Sequence, residues 1–322
     1  MRAIAQDTYG SSDTWHVAEI DQPEIGGDEV LVRVRAAGLD RGTWHSMTGR
    51  PYLMRIMGFG LRAPKNRVPG LATTGTVAAV GSEVTRFAVG DEVYGVSRGA
   101  FAEYAAARED KLARKPSNLT FEQAAAVPIS ATTAIQGLRA GRIEAGQKVL
   151  ITGASGGVGT YAVQIAKSFG AEVTGVCSTA KTGLVRSLGA DHTIDYTAED
   201  FADGSVQYDL ILDIAGNTRL RHLRRALTPT GSLVIVGGEN KGNWTGGFGR
   251  SLRAPLLSVF VGQRLGMLAS EEHHADLESL TELIEAGTIT PSIDRTYRLE
   301  EAPAAMRQLE AGEVRGKVAI VV

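Results

Sequence analysis

Hydrophobic and polar positions change their rhythm along this chain, and each change predicts a different kind of element. Near the start the runs are short and alternating. Val30-Leu31-Val32-Arg33-Val34-Arg35 is β-branched and alternates behind the turn signal Gly26-Gly27-Asp28. Gly75-Thr76-Val77-Ala78-Ala79-Val80-Gly81 and Asp91-Glu92-Val93-Tyr94-Gly95-Val96 are further glycine-bounded strands, so a small barrel or sandwich is expected here. From Asn118 the texture changes. Thr120-Phe121-Glu122-Gln123 reads as a capping box that opens an Ala-rich helical stretch interrupted by Pro128. Lys148-Val149-Leu150-Ile151-Thr152 is the apolar run of a fully buried strand. Val158, Tyr161, Ala162, Ile165, Ala166 and Phe169 then recur at helical spacing until Gly170 stops them. Strands at 172–177, 192–196, 208–214 and 232–237 alternate with helical stretches, one ending at Gly189 and one over 218–227. That alternation predicts a parallel, doubly wound α/β sheet. The chain ends with a strand at 295–299, a helix at 301–310 closed by Gly312, and a strand at 317–322; no internal repeat is visible.

Composition narrows the function. At about 100 to 200 residues per domain, 322 residues predict two domains. A hydrophobic content of 43% and a mean hydropathy of −0.05 describe an ordinary globular chain. With 34 basic and 36 acidic side chains the formal charge is −2, which offers no overall basic footprint for nucleic acid or an anionic membrane. The lone cysteine, Cys177, excludes an internal disulfide framework and a thiolate-built structural zinc site. The start, Met1-Arg2-Ala3-Ile4-Ala5-Gln6-Asp7, lacks the apolar run of a signal peptide and no stretch reads as a bilayer span, so a cytoplasmic location is expected. Glycine is the outlier: 39 of 322 residues, about 12% against about 7% in average usage.

The most informative glycines are in Thr152-Gly153-Ala154-Ser155-Gly156-Gly157-Val158-Gly159, where a buried strand turns into a helix. Ala154, Gly156 and Gly159 have the spacing of the dinucleotide fingerprint, with alanine in the first glycine slot. Small residues are needed there because the turn is tight, the pyrophosphate must touch backbone amides, and the helix must pack against the strand. The same string also matches G-x-S-x-G, the nucleophile elbow of α/β-hydrolases, with His192, His222, His273 and His274 downstream. A hydrolase has no need of the β-rich domain that precedes it. The next strand runs into Val176-Cys177-Ser178-Thr179-Ala180-Lys181, which lacks the acid that grips an NAD ribose. Hydroxyls and Lys181 suit a 2′-phosphate, with Arg186 a second candidate, so NADP(H) is the expected cofactor.

With these motifs in order, the chain resembles the medium-chain dehydrogenase/reductase superfamily, in its zinc-free quinone oxidoreductase-like (zeta-crystallin-like) branch. The match runs through Val30 to Gly38, Val68-Pro69-Gly70, Val89-Gly90-Asp91-Glu92-Val93-Tyr94-Gly95, the glycine motif, Leu188-Gly189-Ala190-Asp191-His192-Thr193-Ile194-Asp195-Tyr196, Tyr208-Asp209-Leu210-Ile211-Leu212-Asp213 and Gly316-Lys317-Val318. The resemblance implies an α/β protein: a GroES-like β-barrel domain, residues 1–120 and 290–322, plus a Rossmann doubly wound parallel sheet, residues 121–289, with the active site in the cleft. It implies a homodimer joined edge to edge through the Rossmann sheets. It also implies NADPH held by Thr133, by Ser155, Gly156, Gly157, Val158 and Gly159, by Ser178, Lys181 and Tyr196, and by the chain near Gly237 and Lys317. The zinc alcohol dehydrogenases of the superfamily carry Cys after the Ala-Ala-Gly run and Gly-His-Glu after the proline. Here those places hold Asp40 and Gly70-Leu71-Ala72, and the four-cysteine lobe is missing. His273, His274 and Asp276 lie on a charged stretch that reads as a solvated helix face, so no metal is expected.

Without zinc to stabilise a lone alkoxide, the easier hydride acceptors are quinones and α,β-unsaturated carbonyls, whose product anions are delocalised. The expected function is therefore NADPH-dependent reduction of an apolar small molecule of that kind, with the proton from solvent or a cleft side chain. A non-catalytic NADPH-binding redox sensor and the serine hydrolase are the alternatives. Asp40 stands where relatives carry Asn. It reads either as a catalytic acid, which needs a raised pKa to donate, or as a turn residue. Trp44, His45 and Tyr52 follow, with His45 expected to be a structural histidine. The run 52–61 is rich in Met, Ile, Phe and Leu, with Arg50, Arg55, Arg62, Lys65 and Arg67 around it. It and the loop 240–250, with Trp244 and Phe248, read as walls of an apolar pocket, or the first of them as a core helix.

Overall fold

Alternation at 29–39 does produce a long strand, Glu29–Leu39, and most of the first unit hangs on it. A computed structural model describes residues 1–238, 242, 244 and 248–322. Glu29–Leu39 pairs antiparallel with Ala72–Val80, Tyr104–Arg108 and the terminal strand Lys317–Val321. The full order is Ile293–Arg298, Lys317–Val321, Glu29–Leu39, Ala72–Val80, Glu92–Val96 and Leu112–Arg114, with Tyr104–Arg108 branching from Glu29–Leu39. Register shifts on Glu29–Leu39 bend the sheet as bulges do. Its inward positions, Val30 and Val32, join Val77, Phe87, Val93 and Leu112 in one apolar cluster. Ile4, Trp15, Met47, Phe101, Met306 and Ile320 form another, so the last segment of the chain completes a core begun by the first.

The second unit is a six-stranded, wholly parallel sheet in the order His192–Asp195, Glu172–Cys177, Lys148–Thr152, Tyr208–Asp213, Leu227–Ile235, Arg264–Met267. In chain order that is 3-2-1-4-5-6, the doubly wound Rossmann arrangement, whose switch point lies between Lys148–Thr152 and Tyr208–Asp213. Leu150, Ile151, Leu210, Ile211 and Leu212 are fully buried, as strands covered on both faces require. The strand expected at 232–237 instead begins at Leu227, shortening the preceding helix to Leu220–Ala226.

The two compact units are Met1–Thr132 with Glu272–Val322, and Thr133–Glu271. Boundaries at 120 and 290 would place the helices Phe121–Ala125 and His274–Glu285 with the parallel sheet. Both instead stand with the first unit. The Tyr94 hydroxyl is 2.6 Å from the Leu277 carbonyl and 2.8 Å from the Thr281 hydroxyl, and Asn118 Nδ2 donates to the Ile284 carbonyl at 2.8 Å. No helix among the described residues is long and apolar enough to cross a membrane.

Candidate dinucleotide site

The glycine turn in the second unit is a cradle of backbone. After Lys148–Thr152 the chain reverses through Gly153 at φ +70°, a conformation that penalises any side chain. The left-handed residue is thus Gly153, one place before the alanine in the first glycine slot. Ala154 is buried, and its amide donates to the Val176 carbonyl at 3.1 Å, fastening the turn to the next strand. Gly156 caps the helix Gly157–Ser168 with no side-chain cap bond and no acid in the first turn. A Cβ at Gly156 would meet only the Gly153 carbonyl, at 3.4 Å, so that face is open to a ligand. A Cβ at Gly159 would lie 2.2 Å from the same carbonyl, so glycine there lets the helix close on the turn. Ser155, Gly156, Gly157, Val158 and Gly159 therefore surround a helix N-terminus whose first amides have no intrahelical acceptor, a geometry suited to a phosphate anion.

The same geometry does not make a nucleophile elbow. Among the described non-glycine residues only Arg142 has a positive φ, so Ser155 lacks the strained conformation of an elbow serine. The histidines of this unit face other partners: His192 Nε2 lies 3.0 Å from Glu172, and His222 Nε2 lies 2.7 Å from Asp200. His273 and His274 belong to the other unit.

Parallel pairing gathers the residues expected at the ribose end. Asp195 is in register with Cys177, and the Tyr196 amide donates to the Cys177 carbonyl at 3.2 Å. Ser178 opens the turn Thr179–Lys181 at that same strand end, with the Tyr196 ring largely exposed beside it. A cavity of about 460 Å³ continues from Tyr196 past Phe201, Thr218 and Arg219. One expectation needs correction. The stretch 176–181 is free of acids along the chain, but the neighbouring strand delivers Asp195 to it. The Thr179 hydroxyl donates to this carboxylate, as do the Thr197 amide (3.0 Å) and hydroxyl (2.7 Å). These bonds, Thr179's foremost, hold Asp195 below the usual carboxylate range and occupy its oxygens. Cys177 is buried, and burial pushes its thiol up, so packing is its role.

At the switch point lies a pair that sequence reading missed. Asp213 ends its strand fully buried, with Arg250 Nη1 2.5 Å from one carboxylate oxygen and the Thr152 hydroxyl 2.8 Å from the other. Arg250 also donates to the Thr218 carbonyl at 2.7 Å and the Gly237 carbonyl at 2.9 Å. Burial pushes the Asp213 carboxyl up against the opposing pull of the guanidinium. The available signal was an acid closing an otherwise apolar strand. Gly237, named for its backbone, is thus clamped by Arg250. Thr133 lies in the helix Pro128–Ala140, whose Gly137 packs against Leu212. Trp244 is exposed, while residues 240, 241, 243 and 245–247 of the loop 240–250 lie outside the described residues.

The other named residues, Asp40, Trp44, Tyr52 and Lys317, belong to the first unit. Asp40 is buried, and its Oδ1 accepts from the Thr43 amide (2.8 Å) and hydroxyl (3.2 Å), capping the helix Arg41–Thr48. Its Oδ2 is buried with no hydrogen-bond partner among the described residues. Lys317 is buried too and donates to the Leu39 carbonyl at 2.8 Å. Burial pushes its ammonium below the ordinary lysine value, against the pull of Asp40. Trp44 Nε1 donates to Glu310 at 2.8 Å, and His45 Nδ1 lies 2.7 Å from the Arg50 carbonyl, the structural role expected of that histidine. Tyr52 sits under the Arg55 guanidinium, 4.7 Å from ring centroid to Cζ. The apolar run beyond it is not core, because Ile56, Met57 and Leu61 are exposed. Among the described residues no group of three or more His, Cys, Asp or Glu is arranged to hold a metal ion.

A glycine cradle at the head of a 3-2-1-4-5-6 sheet, joined to a β-rich unit closed by the chain terminus, defines a two-domain nucleotide-dependent oxidoreductase. Comparison with known proteins agrees. The family described as "Alcohol dehydrogenase GroES-like domain" matches residues 26–117, and that described as "Zinc-binding dehydrogenase" matches 188–320. The chain is 32% identical to the 2-methylene-furan-3-one reductase of Solanum lycopersicum, over 99% of this chain and 79% of that one. It is 38% identical to a chloroplastic NADPH-dependent alkenal/one oxidoreductase of Arabidopsis thaliana, over 73% of this chain and 66% of that one. The quinone oxidoreductase from Coxiella burnetii superposes with a TM-score of 0.88 at 28% identity, covering 100% of this chain and 99% of that one. The chain belongs to the medium-chain dehydrogenase/reductase superfamily, in its quinone oxidoreductase-like branch.

Proposed function

We propose that this protein is an NADPH-dependent, zinc-independent reductase of a quinone or an α,β-unsaturated carbonyl. The observation that carries the reading is the uncapped, acid-free glycine turn at the head of Gly157–Ser168, flanked by a strand end that presents Ser178, Lys181 and Tyr196. Bound there, the nicotinamide nucleotide supplies the hydride. The amides of residues 155–159 hold the pyrophosphate, and Ser178 and Lys181 hold the 2′-phosphate beside the Tyr196 ring. The Gly237 backbone, Thr133 and Lys317 are assigned to the same nucleotide.

Zinc independence rests on donor chemistry. The zinc slots of the alcohol dehydrogenases hold Asp40, Leu71 and Ala72, and the sole thiol is buried in a strand. A quinone or enone spreads the incoming negative charge over a conjugated system, so few protein donors are needed at its oxygen. Trp44, Tyr52 and Trp244 are assigned to the apolar acceptor. Asp40 is assigned to the proton, since its Oδ2 has no partner among the described residues. Asn caps a helix as well as Asp does, so Asp40→Asn separates the roles: a catalytic Asp40 changes the pH profile of turnover, and a mere cap leaves it alone.

Screening NADPH oxidation against ortho- and para-quinones and alkenals tests the reaction, with NADH beside NADPH to test the cofactor. Fluorescence enhancement on NADPH binding, together with silence across a saturating panel, would make the protein a redox sensor instead. A clear NADH preference would overturn the assignment of the 2′-phosphate. The homodimer reading is supported by the open edge strand Arg264–Met267. The helix Phe248–Ser258 before it exposes Leu252 and Leu256, and the turn that follows exposes Val259 and Phe260. Sedimentation of the wild type and Phe260→Glu checks it. A cytoplasmic location belongs to the same proposal and is checked by cell fractionation.

A further inference from the structure

The total charge of −2 conceals an uneven distribution. No acid occurs between Asp40 and Glu83, while Arg41, Arg50, Arg55, Arg62, Lys65 and Arg67 all fall inside that interval. In its middle the chain forms a tip around the single turn Arg55–Phe59. The tip is firmly built. The Tyr9 hydroxyl lies 2.8 Å from the Phe59 carbonyl and 2.7 Å from that of Gly60, and the Lys65 amide donates back to Phe59 at 2.7 Å. Arg55 donates to the Gly49 and Thr48 carbonyls at 2.9 and 3.2 Å, and its guanidinium stacks on both Tyr9 and Tyr52.

This scaffold holds Ile56, Met57 and Leu61 outward, 70%, 69% and 70% exposed. Fixing three large apolar side chains in water is unfavourable unless something covers them. Arg50, Arg62 and Lys65 are exposed around the tip, and no ion pair to a carboxylate holds them among the described residues. Arg67 differs, being paired with Asp7 at 2.5 Å.

We propose that this tip docks the protein on an anionic lipid surface. Ile56, Met57 and Leu61 enter the boundary between headgroups and acyl chains, and Arg50, Arg62 and Lys65 meet the phosphates above it. Three side chains on one tip fall well short of the about 800 Å² per partner of a stable protein interface, whereas apolar insertion backed by cations is the ordinary recipe for reversible bilayer binding. The overall charge predicts no membrane footprint, but its local distribution provides one. Such docking would bring a reductase to acceptors that dissolve in bilayers, although the inference itself goes beyond that function.

Vesicle co-sedimentation of the full chain tests it, using phosphatidylcholine alone and an equal mixture of phosphatidylcholine and phosphatidylserine. The wild type is expected to pellet with the mixed vesicles and to be released by salt. Arg62→Glu with Lys65→Glu should weaken binding by at least about fivefold per cation removed. The triple variant Ile56→Asp, Met57→Asp, Leu61→Asp should lose binding, with circular dichroism and thermal unfolding unchanged because all three sites are exposed. Equal binding to both vesicle types, or undiminished binding by the triple variant, overturns the proposal. Wild-type protein that ignores vesicles but self-associates through these residues would assign the tip to a second copy and overturn it as well. No cofactor or substrate is present in this assay, so its failure is distinct from failure of the reductase reading.

Discussion

The glycine turn and the surroundings of Asp40 are built from opposite materials. In the second unit the turn is backbone: Gly153 bends, Gly156 leaves a face open, and Gly159 admits the helix. In the first unit the material is buried charge: Asp40 caps a helix with one oxygen and leaves the other without a partner among the described residues, and Lys317 donates to the Leu39 carbonyl. A backbone site depends on what side chains are absent, so its requirements are local and hard to substitute. A buried-charge site depends on partners from distant segments, so its properties vary with packing.

The sharpest challenge to that contrast is Arg250→Met, because one buried charged pair sits in the backbone-built unit itself. Leaving Asp213 buried and unpaired should cost about 3–5 kcal/mol, and releasing the Gly237 and Thr218 carbonyls should weaken NADPH binding as well. Urea unfolding and fluorescence titration read the two effects; a loss under 1 kcal/mol, on the order of an exposed pair, would show that the pair is not structural. Next in size is the difference between two glycines of the turn. Gly159→Ala meets backbone and should cost about 1–3 kcal/mol. Gly156→Ala has room in the fold, should cost less than about 1 kcal/mol, and should still raise the NADPH dissociation constant. If Gly156→Ala binds NADPH normally, the open face is not the pyrophosphate cradle.

Lys181→Ala probes a side-chain contribution within the backbone-built site. Losing a charge-assisted bond to a 2′-phosphate should raise KM for NADPH about tenfold and leave KM for NADH nearly unchanged. Equal effects on both cofactors would place Lys181 elsewhere. The smallest effect concerns Lys317. Its folded-state pKa lies below the model-peptide value of 10.5. Between the two values the unfolded chain binds a proton that the folded chain does not, so this residue makes stability rise with pH in that window. Against Lys317→Met, the wild type should therefore gain relative stability as pH approaches 10.5. A difference between the two proteins that is independent of pH would count against a depressed lysine.

Much of the second unit was legible before its geometry. Apolar runs at 148–152 and 208–213 became adjacent central strands, and in the first unit the capping box at Thr120 and Gln123 formed with both of its bonds. The strand–turn–helix context of the glycine string was legible, whereas the positive φ of Gly153 came from the structure. What misled was always a neighbour in space. Asp195 reached the acid-free stretch from an adjacent strand, and the apolar run at 52–61, a core helix on one reading, instead exposes Ile56, Met57 and Leu61.

Sequence alone determined the alternation of strands and helices, the place of the glycine turn, and the lack of zinc-ligand side chains at the slots the family pattern specifies. Each of these depends on periodicity or on side chains within a few positions of one another, which a linear string displays. Tertiary structure decided which polar groups meet: Asp213 with Arg250, Asp195 with Thr179, Asp40 beside Lys317. It also decided which apolar side chains face water. Those outcomes follow from strand order and register, which join residues far apart in the chain, and there burial and partnership set the charge and reach of every polar group.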